Sequence, residues 1–239
     1  MNTLVQYPLP EWLSILFLIA IPLPFLLILS FIKKQRVKGS NDFAFYAVGL
    51  FFLLYLAYIS FASFKGWFNV VSFPPRVLIL STFPYGFLLF GFVMNTRTFK
   101  NIIENSALEN LVKLHLFRVV GVFFILLAFY DALPKPFALL AGFGDVITAI
   151  SSVFVAKAIS NKKPYAQKLV TFWNIFGTID ILFTAIAANI LTKISIDTGV
   201  MGVDALAKFP FYIIPAFAPP TILLMHWVIF KKIKTNYGS

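Results

Sequence analysis

Residues 43–64 read FAFYAVGLFFLLYLAYISFASF, an uncharged stretch of apolar and aromatic side chains with no continuous polar face. A bilayer core about 30 Å thick is crossed by roughly 20 apolar residues in a helix, so this stretch is long enough for one crossing. The whole chain is 60% hydrophobic and only 12% charged. Because that composition is too apolar for a soluble domain, the sequence predicts a membrane protein.

Similar runs recur along the chain, and seven of them qualify as spans. Four contain no charge, two contain one carboxylate each, and one contains Arg118. We expect an all-α bundle of about seven transmembrane helices that forms one domain over residues 1–239. The predicted spans cover residues 12–32, 43–64, 77–96, 114–133, 136–156, 169–192 and 209–230.

Lys and Arg are distributed unevenly between alternate loops. Fifteen of the 20 basic residues fall on one side of the predicted membrane, within residues 33–38, 97–118, 157–168 and 231–234. Because such loops stay in the cytoplasm, we expect the N-terminus outside and the C-terminus in the cytoplasm of a bacterial inner membrane. The net charge of +11 then reflects topology and contacts with lipid head groups. Membrane lipids are the expected partners, and nucleic acid is not.

Two local motifs concern how the fourth and last helices are built. Residues 106–109 have the Ser-x-x-Glu form of a capping box, which predicts that the fourth helix begins there and enters the membrane near Arg118. In the last span, Pro219 and Pro220 should cause a kink and leave carbonyls free near the membrane centre. Those carbonyls need a neighbour, water or a ligand, and a kink that serves packing is the simpler interpretation.

Ionisable side chains inside the spans are the candidates for chemistry, because each is costly in a bilayer unless it is paired or hydrated. Asp145 and Asp180 are expected near the midplane, and Arg118 and His226 nearer the basic side. We expect them to line one polar pocket in the cytoplasmic half. The candidate ligand- or proton-binding residues are Asp145, Asp180, Arg118, Asn174, His226 and Trp173.

Small and polar residues share a helical face with each carboxylate. Such a stripe on an otherwise apolar helix marks the side that faces other helices, so both carboxylates are predicted to point into the bundle. The stripe of the fifth span contains Gly142, Asp145, Thr148 and Ser152, and that of the sixth contains Trp173, Gly177, Asp180 and Thr184.

The electrostatics of the two carboxylates leave several interpretations open. Two ionised carboxylates repel, so one is expected to hold a proton unless Arg118 or a cation lies between them. This arrangement suits a proton relay, a cation site or an acid–base pair, but it also suits a purely structural pair with Arg118. His226, beside Trp227, fits an interfacial anchor better than a ligand, and His115 is expected at the surface.

Several known chemistries do not fit the sequence. The last span has no Lys for retinal, and two His give little support for a haem or a zinc site. The chain has no Cys, which excludes thiolate nucleophiles and Cys-ligated metals, and it has no Gly-x-Ser-x-Gly motif. We therefore expect no cofactor and no metal.

Four motifs in the second half of the chain form a pattern. They are Arg-x-x-Gly from Arg118, Gly-x-Gly-Asp ending at Asp145, Trp-Asn-x-x-Gly-x-x-Asp from Trp173 to Asp180, and a late-helix His at His226. This half resembles a group of small, uncharacterised bacterial multi-pass membrane proteins. The resemblance implies that Arg118, Asp145, Asn174, Asp180 and His226 belong to one site, and it implies no activity.

The Gly-Asp pair at Asp145 also resembles lysoplasmalogenase-type membrane hydrolases, which use intramembrane carboxylates. The two Asp of this chain are more closely spaced, and a mid-chain His-containing motif is absent. We expect a pocket that binds or transports a small molecule or cation, with proton coupling left open. The alternatives are an intramembrane enzyme that uses the Asp pair on a lipid or isoprenoid, and a sensor or accessory subunit.

Overall fold

Seven long helices make up most of the protein, as a computed structural model that describes residues 8–35 and 42–237 shows. Each is long and apolar enough to cross a membrane, and each corresponds to one predicted span. The all-α class is therefore confirmed. The helices are α1 Glu11–Lys34, α2 Phe43–Phe64, α3 Leu78–Asn95, α4 Leu108–Phe129, α5 Lys135–Ser160, α6 Ala166–Thr198 and α7 Ile213–Tyr237.

Short loops join successive helices, so neighbours along the chain run in opposite directions. The loops around residues 96–107 and 161–165 lie at one end with the end of α7, and we call this the basic end. The loops at 65–77, 130–134 and 199–212 lie at the opposite end. Residues 1–7, and Arg36 and Lys38 of the predicted basic loop, fall outside the described residues.

Three helices form the centre of the bundle. In an apolar 18-residue stretch of each helix, the buried share of residues is 61% in α4, 50% in α5 and 56% in α7. In α1, α2, α3 and α6 it is only 17–22%. The exposed faces of those four helices carry large apolar side chains, such as Phe64, Phe87 and Phe172. An outer surface of this kind is suited to lipid contact. The helix whose predicted span contains Arg118, α4, is thus the most buried of the seven.

The middle of α4 is wound more tightly than its ends. Residues His115–Gly121 form a 3₁₀ helix between the α-helical segments Leu108–Leu114 and Val122–Phe129. A 3₁₀ helix has three residues per turn, and runs longer than three or four residues are uncommon. The winding aligns His115, Arg118 and Gly121 in one row, and all three are buried.

The predicted capping box at the start of α4 is wrong. The helix begins close to the expected place, but its N-cap is Ala107 and no side chain caps it. The hydroxyl of Ser106 instead donates to the Ile102 carbonyl, at 2.5 Å, in the preceding short helix Arg97–Glu104. Ser106 therefore caps the C-terminus of the short helix and not the N-terminus of α4.

The two prolines within α7 free the carbonyls of Pro215 and Ala216, as their positions four residues earlier require. Neither carbonyl is left without a partner. The Thr82 hydroxyl of α3 donates to Pro215 O at 2.7 Å, and the Tyr55 hydroxyl of α2 donates to Ala216 O at 2.8 Å. These carbonyls therefore fasten α2 and α3 to α7, which favours the packing interpretation of the prolines.

Replacing Tyr55 by Phe is expected to destabilise the protein by about 1–3 kcal/mol, because the Ala216 carbonyl would remain buried without a donor. The free energy of unfolding in mixed detergent micelles measures this change. Tyr46, exposed on the same helix, gives the matched control as Tyr46→Phe. Equal stability of the two variants would contradict the assignment of the Tyr55 hydroxyl to the freed carbonyl.

Candidate functional site

Arg118 is the centre of a buried polar cluster. Its side chain is 0% exposed and donates from Nε to Asp145 Oδ1 at 2.6 Å and from Nη2 to Asp180 Oδ2. The remaining nitrogen, Nη1, donates to the Gly177 carbonyl at 3.2 Å and lies 3.1 Å from His226 Nε2. One guanidinium from α4 thus joins α5, α6 and α7.

The contact with Arg118 defines the proton position on His226. A guanidinium only donates hydrogen bonds, so His226 Nε2 accepts and the ring proton lies on Nδ1. Nδ1 then donates to Asn174 Oδ1 at 2.8 Å, and Asn174 Nδ2 donates to the His226 carbonyl at 3.1 Å. His226 is 1% exposed. It is therefore a neutral member of the cluster and not an interfacial anchor.

Three glycines allow the helices to approach closely enough for these contacts. A Cβ atom on Gly121 would overlap Asp145, and one on Gly144 would overlap the Asp180 carboxylate. A Cβ atom on Gly177 would lie 2.6 Å from His226 Cε1, which is shorter than normal contact. These three glycines of the sequence motifs are therefore positions where any side chain would displace a member of the cluster, whereas a Cβ atom on Gly142 would meet Ile125 of α4.

His115 and Trp173 close the cluster toward the basic end. The Trp173 indole donates to the Thr148 carbonyl at 3.2 Å and to Ser151 Oγ at 3.0 Å. The His115 ring meets Trp173 edge-on at 5.0 Å between centroids and lies 4.2 Å from the His226 ring. His115 is 0% exposed, so its expected surface position is wrong. Within the described residues neither of its ring nitrogens has a hydrogen-bond partner.

All six residues proposed from the sequence lie together. Asp145, Asp180, Arg118, Asn174 and His226 are joined by hydrogen bonds, and Trp173 packs beside them. The spacing of His115, three residues before Arg118, was an available signal for a seventh member, since i and i+3 side chains share a helical face. It was missed because His115 stands at a helix entrance beside charged residues.

The charges of the cluster do not balance. Arg118 lies between Asp145 and Asp180, as the sequence allowed, so the two carboxylates need not share a proton to avoid repulsion. Two carboxylates nevertheless face one guanidinium, and His226 contributes no charge in the tautomer described above. The cluster therefore needs one further positive charge, from a proton or a cation, to become neutral. In a low-dielectric interior the Coulomb energy of this unbalanced charge is larger than it would be in water.

A large cavity leads from the opposite end of the bundle to Asp145. Its volume is about 940 Å³, and it is bounded by α3, α6, α7 and the loops at 68–77 and 199–207. Most of its lining side chains are apolar, and Asp145 is the carboxylate at its deep end. The sequence placed the pocket in the half with the basic loops, whereas this cavity occupies the other half.

The mouth of the cavity carries charges of both signs. Arg76 and Asp204 line it near the opposite end. Lys208 follows in the same loop, where burial lowers its pKa and the Asp204 carboxylate acts to raise it. The charged residues thus lie at the end of the mostly apolar cavity opposite to Asp145 and the unbalanced cluster.

The described residues offer no group of three or more His, Asp or Glu side chains placed to hold a metal ion. The cluster has two carboxylates, but both are already bound to Arg118. What the residues present can supply is hydrogen-bond acceptance and negative charge at Asp145.

Comparison with known proteins finds one family. Residues 74–233 match the model of a family described as a domain of unknown function, DUF8737. The match spans α3 to most of α7, and therefore includes every residue of the cluster. No curated protein and no solved structure matches the chain. The description agrees with the expectation of an uncharacterised family.

Proposed function

The chain belongs to this family of unknown function, DUF8737, and we propose that it is a multi-pass membrane protein that binds and moves a small cationic molecule or a cation. The charge distribution supports an orientation with the N-terminus outside and the C-terminus in the cytoplasm, and we propose the bacterial inner membrane as the location. The cavity then opens to the outside, and the basic end faces the cytoplasm.

The proposal depends on the position of Asp145. This carboxylate lies at the deep end of the cavity, and it belongs to a cluster with two carboxylates and one guanidinium. A cation that reaches Asp145 would neutralise the remaining charge in a site of low dielectric, where such a contact is worth more than in water. A proton would neutralise the same charge. Binding of one is therefore expected to release the other, which is the basis of proton-coupled movement.

The same geometry gives less support to an enzyme. General acid–base catalysis needs a carboxyl group within reach of the substrate that can take up and give back a proton. Asp180 accepts from Arg118 and does not line the cavity, so only Asp145 of the pair is placed to meet a ligand. A single carboxylate beside a guanidinium suits recognition of a cation better than two-residue acid–base chemistry.

The substitution Asp145→Asn is expected to weaken ligand binding by about 10- to 100-fold, since a hydrogen bond to a charged group contributes about 1.5–3 kcal/mol. The amide keeps an acceptor for Arg118 Nε, so the variant should fold. Native mass spectrometry of protein purified in mild detergent identifies what remains bound. We expect a specific small molecule on the wild type and its loss from the variant.

Asp131→Asn is the matched control for this experiment. It makes the same isosteric change at a carboxylate whose side chain is 71% exposed, and its φ of 50° suits Asn as well as Asp. A folded Asp145→Asn variant that carries the same bound molecules as the wild type would contradict the proposal and favour an accessory or structural role. Reconstituted vesicles then separate the functions, because a transporter loses flux in the variant whereas an enzyme loses turnover.

A further inference from the structure

The cavity has a side opening between two helices. Helix α3 packs along α7, and α6 packs along α5 and α7, but in the described part of the chain α3 and α6 have no comparable packing on each other. The cavity fills the space between them, lined by Phe83, Phe87 and Phe90 on α3 and by Ala185 and Ala188 on α6. Phe83 and Phe87 are largely exposed, at 57% and 70%. The space between α3 and α6 therefore faces the surrounding lipid.

The backbone of α3 is irregular where it borders this opening. Two π-helical turns, Leu78–Thr82 and Leu88–Phe92, flank a single α-helical turn at Phe83–Phe87. Turns of this kind are rare in helices and occur frequently at functional sites. They widen α3 along the same stretch that lines the cavity, so the opening is part of how this helix is built.

The walls and the deep end of the cavity differ in chemistry. The walls between α3 and α6 are mostly apolar, whereas the deep end holds Asp145 and the cluster with its unmatched negative charge. A volume of about 940 Å³ lies at the upper end of the range for small-molecule pockets and exceeds what an inorganic cation needs. An apolar space of this size above a carboxylate matches a molecule with a long apolar part and a positive group.

We propose that the ligand is a membrane-dissolved amphiphile with a cationic head group, which enters sideways between α3 and α6 and places that group at Asp145. This inference rests on the proposed function and adds the class of ligand and its route. The apolar chain lies against the α3 and α6 walls, in surroundings similar to lipid, so it gives up little on leaving the bilayer. The head group gains the charge contact that the bilayer centre does not offer.

The test uses three probes of one series on protein in nanodiscs of zwitterionic phospholipid. Decylammonium has both features, decanoate has the chain with the opposite charge, and propylammonium has the charge without the chain. Binding to the folded state raises the midpoint of thermal unfolding, Tm, by about 5–10 °C at a ligand concentration of 100 Kd. We expect decylammonium to raise the Tm of the wild type and of Asp131→Asn, and decanoate and propylammonium to leave both unchanged.

Two variants test separately the charge contact at Asp145 and the entry route between α3 and α6. Asp145→Asn should lose the response to decylammonium, and so should Ala188→Trp, which fills the space between α3 and α6 without changing the cluster. Ile179→Trp is the control for the added indole, because Ile179 is 61% exposed on the same helix. It should respond as the wild type does, and normal unfolding of Ala188→Trp without ligand shows that this variant is folded.

The outcomes distinguish this inference from the proposed function. If propylammonium stabilises the wild type as strongly as decylammonium does, the cation site stands and the amphiphile is wrong. If neither ammonium probe acts on the wild type, the amphiphile inference fails, whereas the proposed function fails only if the Asp145→Asn variant carries the same bound molecules as the wild type. An equal response of all variants to decylammonium would mean that the probe acts by partitioning into the bilayer, which also overturns the inference.

Discussion

Replacing Arg118 by Leu is expected to destabilise the protein by about 3–5 kcal/mol, because the change leaves Asp145 and Asp180 buried without their shared partner. The Gly177 carbonyl would also lose its donor. Removing one partner of a buried ion pair lowers the free energy of unfolding by far more than the intact pair contributes to it. The free energy of unfolding in mixed micelles measures the loss, and for a chain of this size Tm should fall by roughly 6–20 °C.

Two comparisons show whether the loss comes from the unpaired carboxylates. Arg97→Leu makes the same change at an exposed position of the basic end and should alter stability by less than about 0.5 kcal/mol. Adding Asp145→Asn and Asp180→Asn to the Arg118→Leu protein removes the uncompensated charges and should recover at least about 2 kcal/mol. If the triple variant is no more stable than Arg118→Leu alone, the cost lies in packing and our account of the cluster is wrong.

The positions of the buried polar residues were predictable because a long apolar helix allows few places for charge. Asp145 and Asp180 interrupt apolar runs, and the stripes around them identified the faces on which they lie. The burial of Gly142, Thr148 and Ser152 on the face of Asp145 agrees with that prediction. The helical period and the free-energy cost of a charge in apolar surroundings were sufficient to predict these positions, because both act locally along one helix.

The features that the sequence did not reveal depend on contacts between helices. Nothing in the local sequence of His115 indicates a 3₁₀ winding, which turns that ring inward beside His226. The partners of the freed carbonyls in α7 lie on α2 and α3, more than a hundred residues away along the chain. Within the described residues, the cavity likewise results from the lack of close packing between α3 and α6. A helical period does not reveal how two helices that are distant along the chain pack.

The substitution Gly144→Ala should separate α5 from α6 and cost about 1–3 kcal/mol, although Ala is the better helix former by about 0.5–1 kcal/mol. The reason is steric, since the new methyl group would overlap the Asp180 carboxylate. Gly86→Ala is the control: its Cβ would meet Pro220 at an ordinary 3.6 Å, so that variant should be as stable as the wild type or slightly more stable. Unfolding in mixed micelles compares the two.

A double-mutant cycle tests whether overlap with the Asp180 carboxylate causes this loss of stability. In an Asp180→Ala background the overlapping carboxylate is gone, so adding Gly144→Ala should cost less there than in the wild type. The difference between the two costs is expected to be about 0.5–3 kcal/mol, as is usual for residues in direct contact. A cost that is the same in both backgrounds would mean that Gly144 serves helix packing alone. A smaller cost without Asp180 would instead show that Gly144 makes room for the ion pair, and would explain why the Gly-Asp motif of α5 and the Asp of α6 contribute to one site.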